Sequence, residues 1–450
     1  MNFLMTLKSM YQRPAFFVSF FFIFLILTAC SRQQQLIWLP AWLEATSLTV
    51  PRAGAAAVVY KNFIYVLGGV DGRHFLSSIE RAAIDEAGVP GSWSVVADMP
   101  QARGFFDAVV IDEYLYIVGG GNGENGKNLL RSVYRASLAD DGSIGEWQKE
   151  EDLLLPRRCV KIFENNRRLY ALGGFGGALL DSVEYADLDS DGHLSPWKMS
   201  DEAMTLPRYV NAVKKSGDRV YVIGGHHQKN GSGIVEVESA SLNDKDLHWE
   251  RGVNKLGSGR YGLSAFAMNG YVFALGGLSG LEYLSSIEKY SNSDGQWRQT
   301  TELPSAMANF STLNYKDYIY LLGGTTRQTY LKSVSYAQLN ENGDIGILVN
   351  EKQAKLYLQE NQKKSKYTTP LHPIYAHQGK VVDLILSEQY TYVQVSENGD
   401  LYWIAGPVVK LEKGNLIGFS EGVLMSGFYS KSLRRNFDKI LFVGQLAFIE

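Results

Sequence analysis

The chain is poor in cysteine and has no excess of charge of either sign. Its 450 residues include only two cysteines, Cys30 and Cys159, which excludes a disulfide framework and a zinc site built from several thiolates. Basic residues number 44 and acidic residues 47, so the strong attraction to phosphate that most nucleic-acid binders use is missing. Charged residues make up 20% and aromatic residues 12% of the chain, which argues against disorder or a coiled coil. We therefore expect a folded, sheet-rich protein with no nucleic-acid partner.

One nearly unbroken hydrophobic run lies near the N-terminus. Residues Ala15–Leu27 form an apolar stretch of 13 residues, which is short for a bilayer span and has the length of a signal-peptide core. The run ends in Leu27-Thr28-Ala29-Cys30, which resembles the bacterial lipobox. That resemblance implies a signal peptide over residues 1–29, lipidation of Cys30 and, with Ser31 next, a lipid-anchored protein of the cell envelope at the outer membrane. A plain signal anchor with a buried cysteine is the alternative.

An internal repeat with a period of about fifty residues occupies most of the remaining chain. Each unit has an apolar strand that ends in Gly-Gly, then a second strand, and in most units a tryptophan after a polar turn. Strands that are apolar throughout are buried on both faces, and paired glycines let the chain turn where a Cβ would clash. Such a unit cannot bury both faces alone, so the units must pack around an axis as a β-propeller. The glycine pairs begin at Gly68, Gly119, Gly173, Gly224, Gly276 and Gly323, and the tryptophans are Trp93, Trp147, Trp197, Trp249 and Trp297.

These units resemble the kelch repeat, which has an arginine before the first strand, Gly-Gly after the second, Glu or Tyr in the third and tryptophan in the fourth. The resemblance implies an all-β protein with a six-bladed kelch-like propeller. Met307 replaces the arginine of the sixth unit and Leu348 its tryptophan, whereas Trp42 lies in phase with Trp93. We therefore expect the N-terminal strand around Trp42 to close the ring as the fourth strand of the last blade. In the third strand Glu80, Glu184, Glu238 and Glu288 recur, and Tyr134 and Ser335 depart.

The propeller is predicted over residues 30–349, and a linker and a second domain follow it. Residues 350–369 are highly charged and lack the repeat, which predicts a linker with room for a short helix. Residues 370–450 are β-rich, and the alternation of Tyr390–Val395 before an Asn-Gly turn predicts a hairpin. About five strands in this length predict a small OB-like or SH3-like β-barrel. Its aromatic residues Tyr390, Tyr392, Tyr402 and Trp403 fit either a binding face or the core.

Few residues have the spacing of a metal or catalytic site. His226-His227 lacks an acidic or cysteine partner at ligand spacing, so a solvated loop is the better interpretation. The turn Asp187–Gly192 imitates the start of a calcium loop, but Lys198 stands where a bidentate glutamate is required. Phosphate-binding, hydrolase and metalloprotease motifs are missing from the sequence. We predict no metal, no cofactor and no catalytic residue.

The arginines that precede the first strand of each unit are the best candidates for ligand binding. Equivalent positions of a propeller lie on a ring around its axis, where several guanidiniums could bind carboxylates or an acidic peptide. The alternative is that each arginine ties its own blade to a neighbour through the recurrent glutamate. The loops after Gly-Gly differ strongly, which is where a scaffold varies its specificity. The candidate ring consists of Arg52, Arg103, Arg157, Arg208 and Arg260.

Two functions follow from these observations. The leading hypothesis is a lipid-anchored, extracytoplasmic scaffold that binds an envelope protein or a glycan through propeller loops and is not an enzyme. The alternative rests on resemblance, because secreted six-bladed kelch proteins of bacteria include sialic-acid mutarotases. A sugar epimerase of that type would use the arginines with Glu124 or Glu282 as acid and base in the channel mouth. A kelch-like copper-radical oxidase would need a Cys–Tyr cross-link, which the place of Cys159 inside a strand disfavours.

Overall fold

The structure is a computed structural model. It describes residues 36–227, 233–244, 246–252, 254–367, 377–387, 390–419, 422–430, 432–443 and 446–448. The expected signal peptide and the lipidation residue Cys30 lie outside the described residues. Within the described part, short antiparallel strands dominate the repeat region and one α-helix follows it.

The strands of the repeat region follow the predicted period. In chain order they are β1 (Leu36–Leu39), β2 (Leu43–Ala45), β3 (Ala56–Tyr60), β4 (Phe63–Leu67), β5 (Ser78–Ala83), β6 (Ser94–Asp98), β7 (Asp107–Ile111), β8 (Tyr114–Val118), β9 (Gly121–Asn122), a 3-10 turn (Glu124–Gly126), β10 (Asn128–Leu129), β11 (Val133–Ser137), β12 (Gln148–Lys149), β13 (Lys161–Glu164), β14 (Arg168–Leu172), β15 (Val183–Asp187), β16 (Lys198–Met199), β17 (Ala212–Ser216), β18 (Arg219–Ile223), β19 (Val237–Ser241), β20 (Glu250–Arg251), β21 (Ser264–Met268), β22 (Tyr271–Leu275), β23 (Leu278–Ser279), β24 (Glu282–Tyr283), β25 (Ile287–Ser291), β26 (Trp297–Gln299), β27 (Ser311–Tyr315), β28 (Tyr318–Leu322), β29 (Val334–Leu339) and β30 (Ile345–Asn350).

These strands form a series of antiparallel sheets, numbered here from first to sixth. The first five have the orders β3-β4-β5-β6, β7-β8-β11-β12, β13-β14-β15-β16, β17-β18-β19-β20 and β21-β22-β25-β26. The sixth has the order β27-β28-β29-β30-β1, and β2 also pairs with β29. The innermost strands contact one another in the cycle β3, β7, β13, β17, β21, β27 and back to β3. Sheets packed face to face around an axis confirm the all-β propeller class.

The Gly-Gly pairs act where one sheet meets the next. Gly68 and Gly69 have φ of 54° and 93°, a region that glycine adopts without a Cβ penalty. A Cβ on Gly68 would lie 2.5 Å from the carbonyl oxygen of Arg103, and the N–H of Gly69 donates to that oxygen over 2.9 Å. Because the glycines have no side chain, the loop that leads into the next sheet can pack directly against their backbone.

The segment around Trp42 lies on the sixth sheet. Strand β2 pairs with β29 in the register Leu43 to Tyr336. The indole N–H of Trp42 donates to the carbonyl of Glu302 over 2.9 Å, in the outer part of the fifth sheet. Trp93 of the first sheet donates in the same way to Thr46, just after β2. The hydrogen bond from a tryptophan indole to the preceding sheet is therefore also made where the first unit of the repeat region meets the last.

A helix and a C-terminal sheet follow the repeat region. Helix α1 (Glu351–Tyr367) occupies most of the predicted linker. The remaining strands are β31 (His377–Leu386), β32 (Thr391–Glu397), β33 (Asp400–Gly406), β34 (Leu416–Phe419), β35 (Gly422–Ser430), β36 (Arg435–Val443) and β37 (Leu446–Phe448).

These seven strands form the C-terminal sheet, whose order is β35-β36-β33-β32-β31-β34-β37. Strands β32 and β33 form the predicted hairpin, because Glu397 pairs with Asp400 and the two-residue turn Asn398-Gly399 has φ of 50° and 95°. The OB-like or SH3-like barrel stays a prediction. No helix in the described ranges has both the length and the apolar character to cross a bilayer.

Candidate functional site

The five candidate arginines form a buried layer beneath the inter-sheet loops. Arg52 is fully buried, and its Nη1 donates to the carbonyl oxygens of Gly68 at 2.9 Å and Ser78 at 3.1 Å. Its Nη2 lies 2.6 Å from Oε1 of Glu80. The other oxygen of Glu80 accepts from the N–H of Thr49 over 2.6 Å. Arg52 and Glu80 thus satisfy the backbone groups of the loop and of their own sheet.

The same network recurs in the third, fourth and fifth sheets. The ion pairs are Arg157–Glu184 at 2.9 Å, Arg208–Glu238, and Arg260–Glu288. Burial lowers the pKa of Arg157, and the neighbouring Glu184 carboxylate opposes that shift. The carboxylates are what make burial of these guanidiniums tolerable.

Two sheets depart from the pattern in different ways. Arg103 of the second sheet is buried without a carboxylate, and its guanidinium lies 5.5 Å from the ring centre of Tyr134. Burial lowers the pKa of Arg103 to about 10. The sixth sheet carries neither charge, because Met307 and Ser335 replace both members of the pair and are buried. In the sixth sheet, therefore, both charges of the pair are replaced, and in the second sheet the ring of Tyr134 stands in for the missing carboxylate beside Arg103.

These positions correct the ligand-binding hypothesis for Arg52, Arg103, Arg157, Arg208 and Arg260. Each side chain is buried and bonded within the fold, so a ligand from solution does not reach the guanidiniums. The alternative interpretation accounts for their contacts. Each arginine side chain donates to groups of its own sheet, while its main-chain carbonyl accepts a hydrogen bond from the preceding sheet. For Arg157 the donor is the N–H of Gly120, over 2.8 Å.

The acid and base groups of the epimerase hypothesis are not brought to the arginines. Glu124 is exposed and pairs with Lys127 at 3.4 Å, and Glu282 is exposed on β24. No observation therefore favours catalysis by this set of residues.

The residue that follows each of these arginines, or Met307, lies beside the loop after Gly-Gly. It is half-buried at Arg158, Tyr209 and Tyr261 and buried in the other three units. Each forms an isolated bridge to the loop of its own sheet. The bridges are Ala53 to Val70, Gly104 to Gly121, Arg158 to Phe175, Tyr209 to His226, Tyr261 to Leu278, and Ala308 to Thr325. The residue type at this position differs between units: it is alanine, glycine, arginine or tyrosine.

Across the third, fourth and fifth sheets these side chains form a continuous aromatic row. We call Arg158, Phe175, Tyr209, His226 and Tyr261 the loop face. The Arg158 guanidinium lies 5.6 Å from the centre of the Phe175 ring, and that ring lies 6.3 Å from Tyr209. The His226 ring lies 5.6 Å from Tyr209 and 4.9 Å from Tyr261. All five residues are half-buried.

Burial raises the pKa of Tyr209 and of Tyr261. The sequence analysis did not single out these tyrosines, although their variability beside a repeated arginine is a usable signal. The imidazole of His226 packs between the two tyrosines, and the described residues contain no group of three or more possible metal ligands.

Comparisons with known proteins agree with the repeat architecture. The kelch motif matches residues 51–81 and 259–304. Beta-scruin of Limulus polyphemus is 25% identical over 280 residues, covering 59% of this chain and 30% of that protein. Kelch-like protein 38 of Rattus norvegicus is 26% identical over 221 residues, covering 49% of this chain and 35% of that protein. The chain thus spans well under half the length of these relatives.

Among solved structures, one described as "Structure of YjhT" is similar with a TM-score of 0.56 and 18% identity. The similarity covers 68% of this chain and 99% of that chain, and at this identity it shows a shared fold. The motif, the relatives and the sheets together establish kelch repeats in a propeller-type fold.

Proposed function

We propose that this protein is a scaffold that binds a protein partner through the loop face. The observation that carries the proposal is the half-buried row of tyrosine, phenylalanine, histidine and arginine across three sheets. Tyrosine and arginine dominate the binding energy of protein interfaces because they bury a large area and keep a polar tip. The similarity to kelch-repeat proteins supports the same reading.

Rigidity of the loop face adds to the argument. Tyr209 and Tyr261 each exchange backbone bonds with the loop that follows Gly-Gly, and the hydroxyl of Tyr261 donates to the carbonyl of Gly280 over 2.5 Å. Little side-chain entropy remains to be lost on binding, which favours affinity. A glycan is the second candidate ligand, because tyrosine rings with one free face can stack on the apolar face of a sugar.

The loop face can be tested with variants that leave the buried layer intact. The full chain captures partners from envelope extract by chemical cross-linking, and affinity is then measured with the purified partner. Combined Tyr209→Ala and Tyr261→Ala should weaken the complex by about thirtyfold or more, the loss typical of interface hot spots. Tyr60→Ala is a matched control, since Tyr60 is half-buried at the opposite end of the first sheet. Unchanged affinity in the folded double variant would refute the proposal.

We also propose that the partner belongs to the bacterial cell envelope. The motif Leu27–Cys30 supports this, because acyl chains on Cys30 would hold the propeller at a membrane surface. Replacing Cys30 by alanine should move the protein from the membrane fraction to the soluble fraction and abolish its labelling with palmitate. Retention in the membrane without the cysteine would contradict lipid anchoring and leave the test of the loop face unaffected.

A further inference from the structure

A cavity runs along the axis on which the six innermost strands meet. Its volume is about 370 Å³, and its walls come from strands β3, β7, β13, β17, β21 and β27. Each of these is an edge strand of its sheet, so alternate N–H and C=O groups point away from the ladder and toward the axis. A water molecule occupies about 30 Å³ of liquid, so the cavity has room for a small hydrated solute.

One end of the cavity is narrowed by a belt of backbone hydrogen bonds between adjacent sheets. The N–H of Phe105 donates to Gly54 over 2.7 Å, that of Gly54 to Asn309 over 2.8 Å, and that of Asn309 to Gly262 over 2.7 Å. The belt continues from Gly262 to Val210 over 2.8 Å. Val210 has φ of 50°, a strained value for a β-branched residue, which the neighbouring bonds hold in place.

The cavity contains more positive than negative charge. Lys215 and Glu164 lie on its wall but satisfy each other, since the Nζ of Lys215 donates to the Glu164 carbonyl and lies 4.0 Å from its carboxylate. The remaining charged residues of the wall are Lys161, Lys214 and Asp107. Two ammonium groups therefore share one carboxylate in a confined space.

The ammonium groups of Lys161 and Lys214 have no hydrogen bond or ion pair within the described residues, and both residues are half-buried. Burial lowers the pKa of Lys214, Lys161 lowers it further, and Asp107 opposes both effects. The Asp107 carboxylate is itself engaged, since it accepts from the N–H of Ile162 over 3.1 Å. The hydroxyl of Thr312, on the same wall and 7% exposed, has no partner among the described residues.

Two ammonium groups that share one engaged carboxylate, together with an orphaned hydroxyl, are costly in one cavity unless a ligand satisfies them. We propose that the cavity binds a small oxyanion, a phosphate or a small carboxylate, held by the ammonium groups of Lys161 and Lys214. The hydroxyl of Thr312 and the free backbone N–H groups of the edge strands complete the donors. This site is separate from the loop face and does not depend on the partner proposed there.

Isothermal titration of the full chain at constant ionic strength tests the site, with inorganic phosphate in one arm and succinate in the other. Binding of either supports the proposal, and the arm that binds tells which oxyanion the cavity accepts. Lys161→Met and Lys214→Met, which keep side-chain length, should each weaken binding about tenfold or more. Lys316→Met, at an exposed hairpin, should leave it unchanged.

The carboxylate provides a variant with the opposite sign. Asp107→Asn keeps an oxygen that can accept from Ile162 and removes the negative charge, so anion binding should tighten severalfold. Failure of both anions to bind wild type at millimolar concentration would overturn the proposal. Equal affinity in wild type and in a folded Lys161→Met or Lys214→Met variant would overturn it as well, as would weaker binding by Asp107→Asn.

Discussion

Arg157 and Arg158 are adjacent in the chain and lie in two different regions, the buried layer and the loop face. Arg157 is fully buried against Glu184 and recurs with its partner in four of the sheets. Arg158 lies half-buried over Phe175, and its position is occupied by alanine, glycine or tyrosine in the other units. The side chain that repeats bonds the sheets to one another, and the side chain that varies lies half-buried on the loop face.

The difference explains why the ring of arginines was a misleading candidate. The arginines of the first, third, fourth and fifth sheets are buried against the same kind of carboxylate, because these units pack in the same way. Specific recognition needs a surface that differs from sheet to sheet. Variation at Arg158, Tyr209 and Tyr261 supplies that difference one residue away from the buried arginines.

The largest effect should come from disrupting the buried region where the first and last units of the repeat region meet. Deletion of residues 41–50 removes β2 from the sixth sheet, Trp42 from its core and two N–H groups that bind Glu80. We expect loss of the cooperative unfolding transition of the repeat region, measured by calorimetry and circular dichroism. A deletion variant that unfolds cooperatively with unchanged stability would refute closure by this segment.

The next largest effect should distinguish arginines that are paired with a carboxylate from Arg103, which is not. Glu184→Leu leaves Arg157 buried without a carboxylate, which should cost about 3–5 kcal/mol in the free energy of unfolding. The matched change in the second sheet, Tyr134→Leu, removes the aromatic face beside Arg103 without unpairing a carboxylate, and should cost about 1–2 kcal/mol. Urea unfolding of both variants measures the difference. Equal losses would show that the carboxylate does not compensate the guanidinium.

The smallest effect concerns a buried tyrosine that ties two sheets. The hydroxyl of Tyr65 donates to the carbonyl of Gly142 in the next sheet over 2.8 Å, and burial raises the pKa of Tyr65 to about 12. Since the unfolded phenol ionises near pH 10, the stability from this group is present below pH 10 and is lost between about pH 10 and 12. Tyr65→Phe should cost about 1 kcal/mol at neutral pH and flatten that alkaline loss. The variant should fold, because Phe273 occupies the equivalent position in the fifth sheet. An unchanged dependence of unfolding free energy on pH between about 10 and 12 would contradict this assignment.

Much of the fold could be read from local sequence signals. The sheets could be predicted from the Gly-Gly pairs, the apolar strands and the spacing of Trp42 from Trp93. Each of these signals depends only on contacts within one unit or between neighbouring units. The Asn398-Gly399 hairpin was predicted for the same reason. The parallel pairing of β33 with β36 was not, since it joins segments separated by two other strands. Side-chain exposure was also beyond the sequence, and for that reason Arg157 and Arg158 could not be assigned to opposite regions.

The most direct test of the account compares partner affinity in the two regions. Arg157→Met with Glu184→Ser removes both charges of a pair, as Met307 and Ser335 do in the sixth sheet, so the fold should be kept. Surface plasmon resonance with the captured partner should give an affinity within about twofold of wild type for this double variant. Arg158→Met alone should weaken the complex about tenfold or more, as expected for an interfacial arginine. Loss of binding in the folded double variant, with Arg158→Met unaffected, would contradict the assignment of structure to the buried layer and recognition to the loop face.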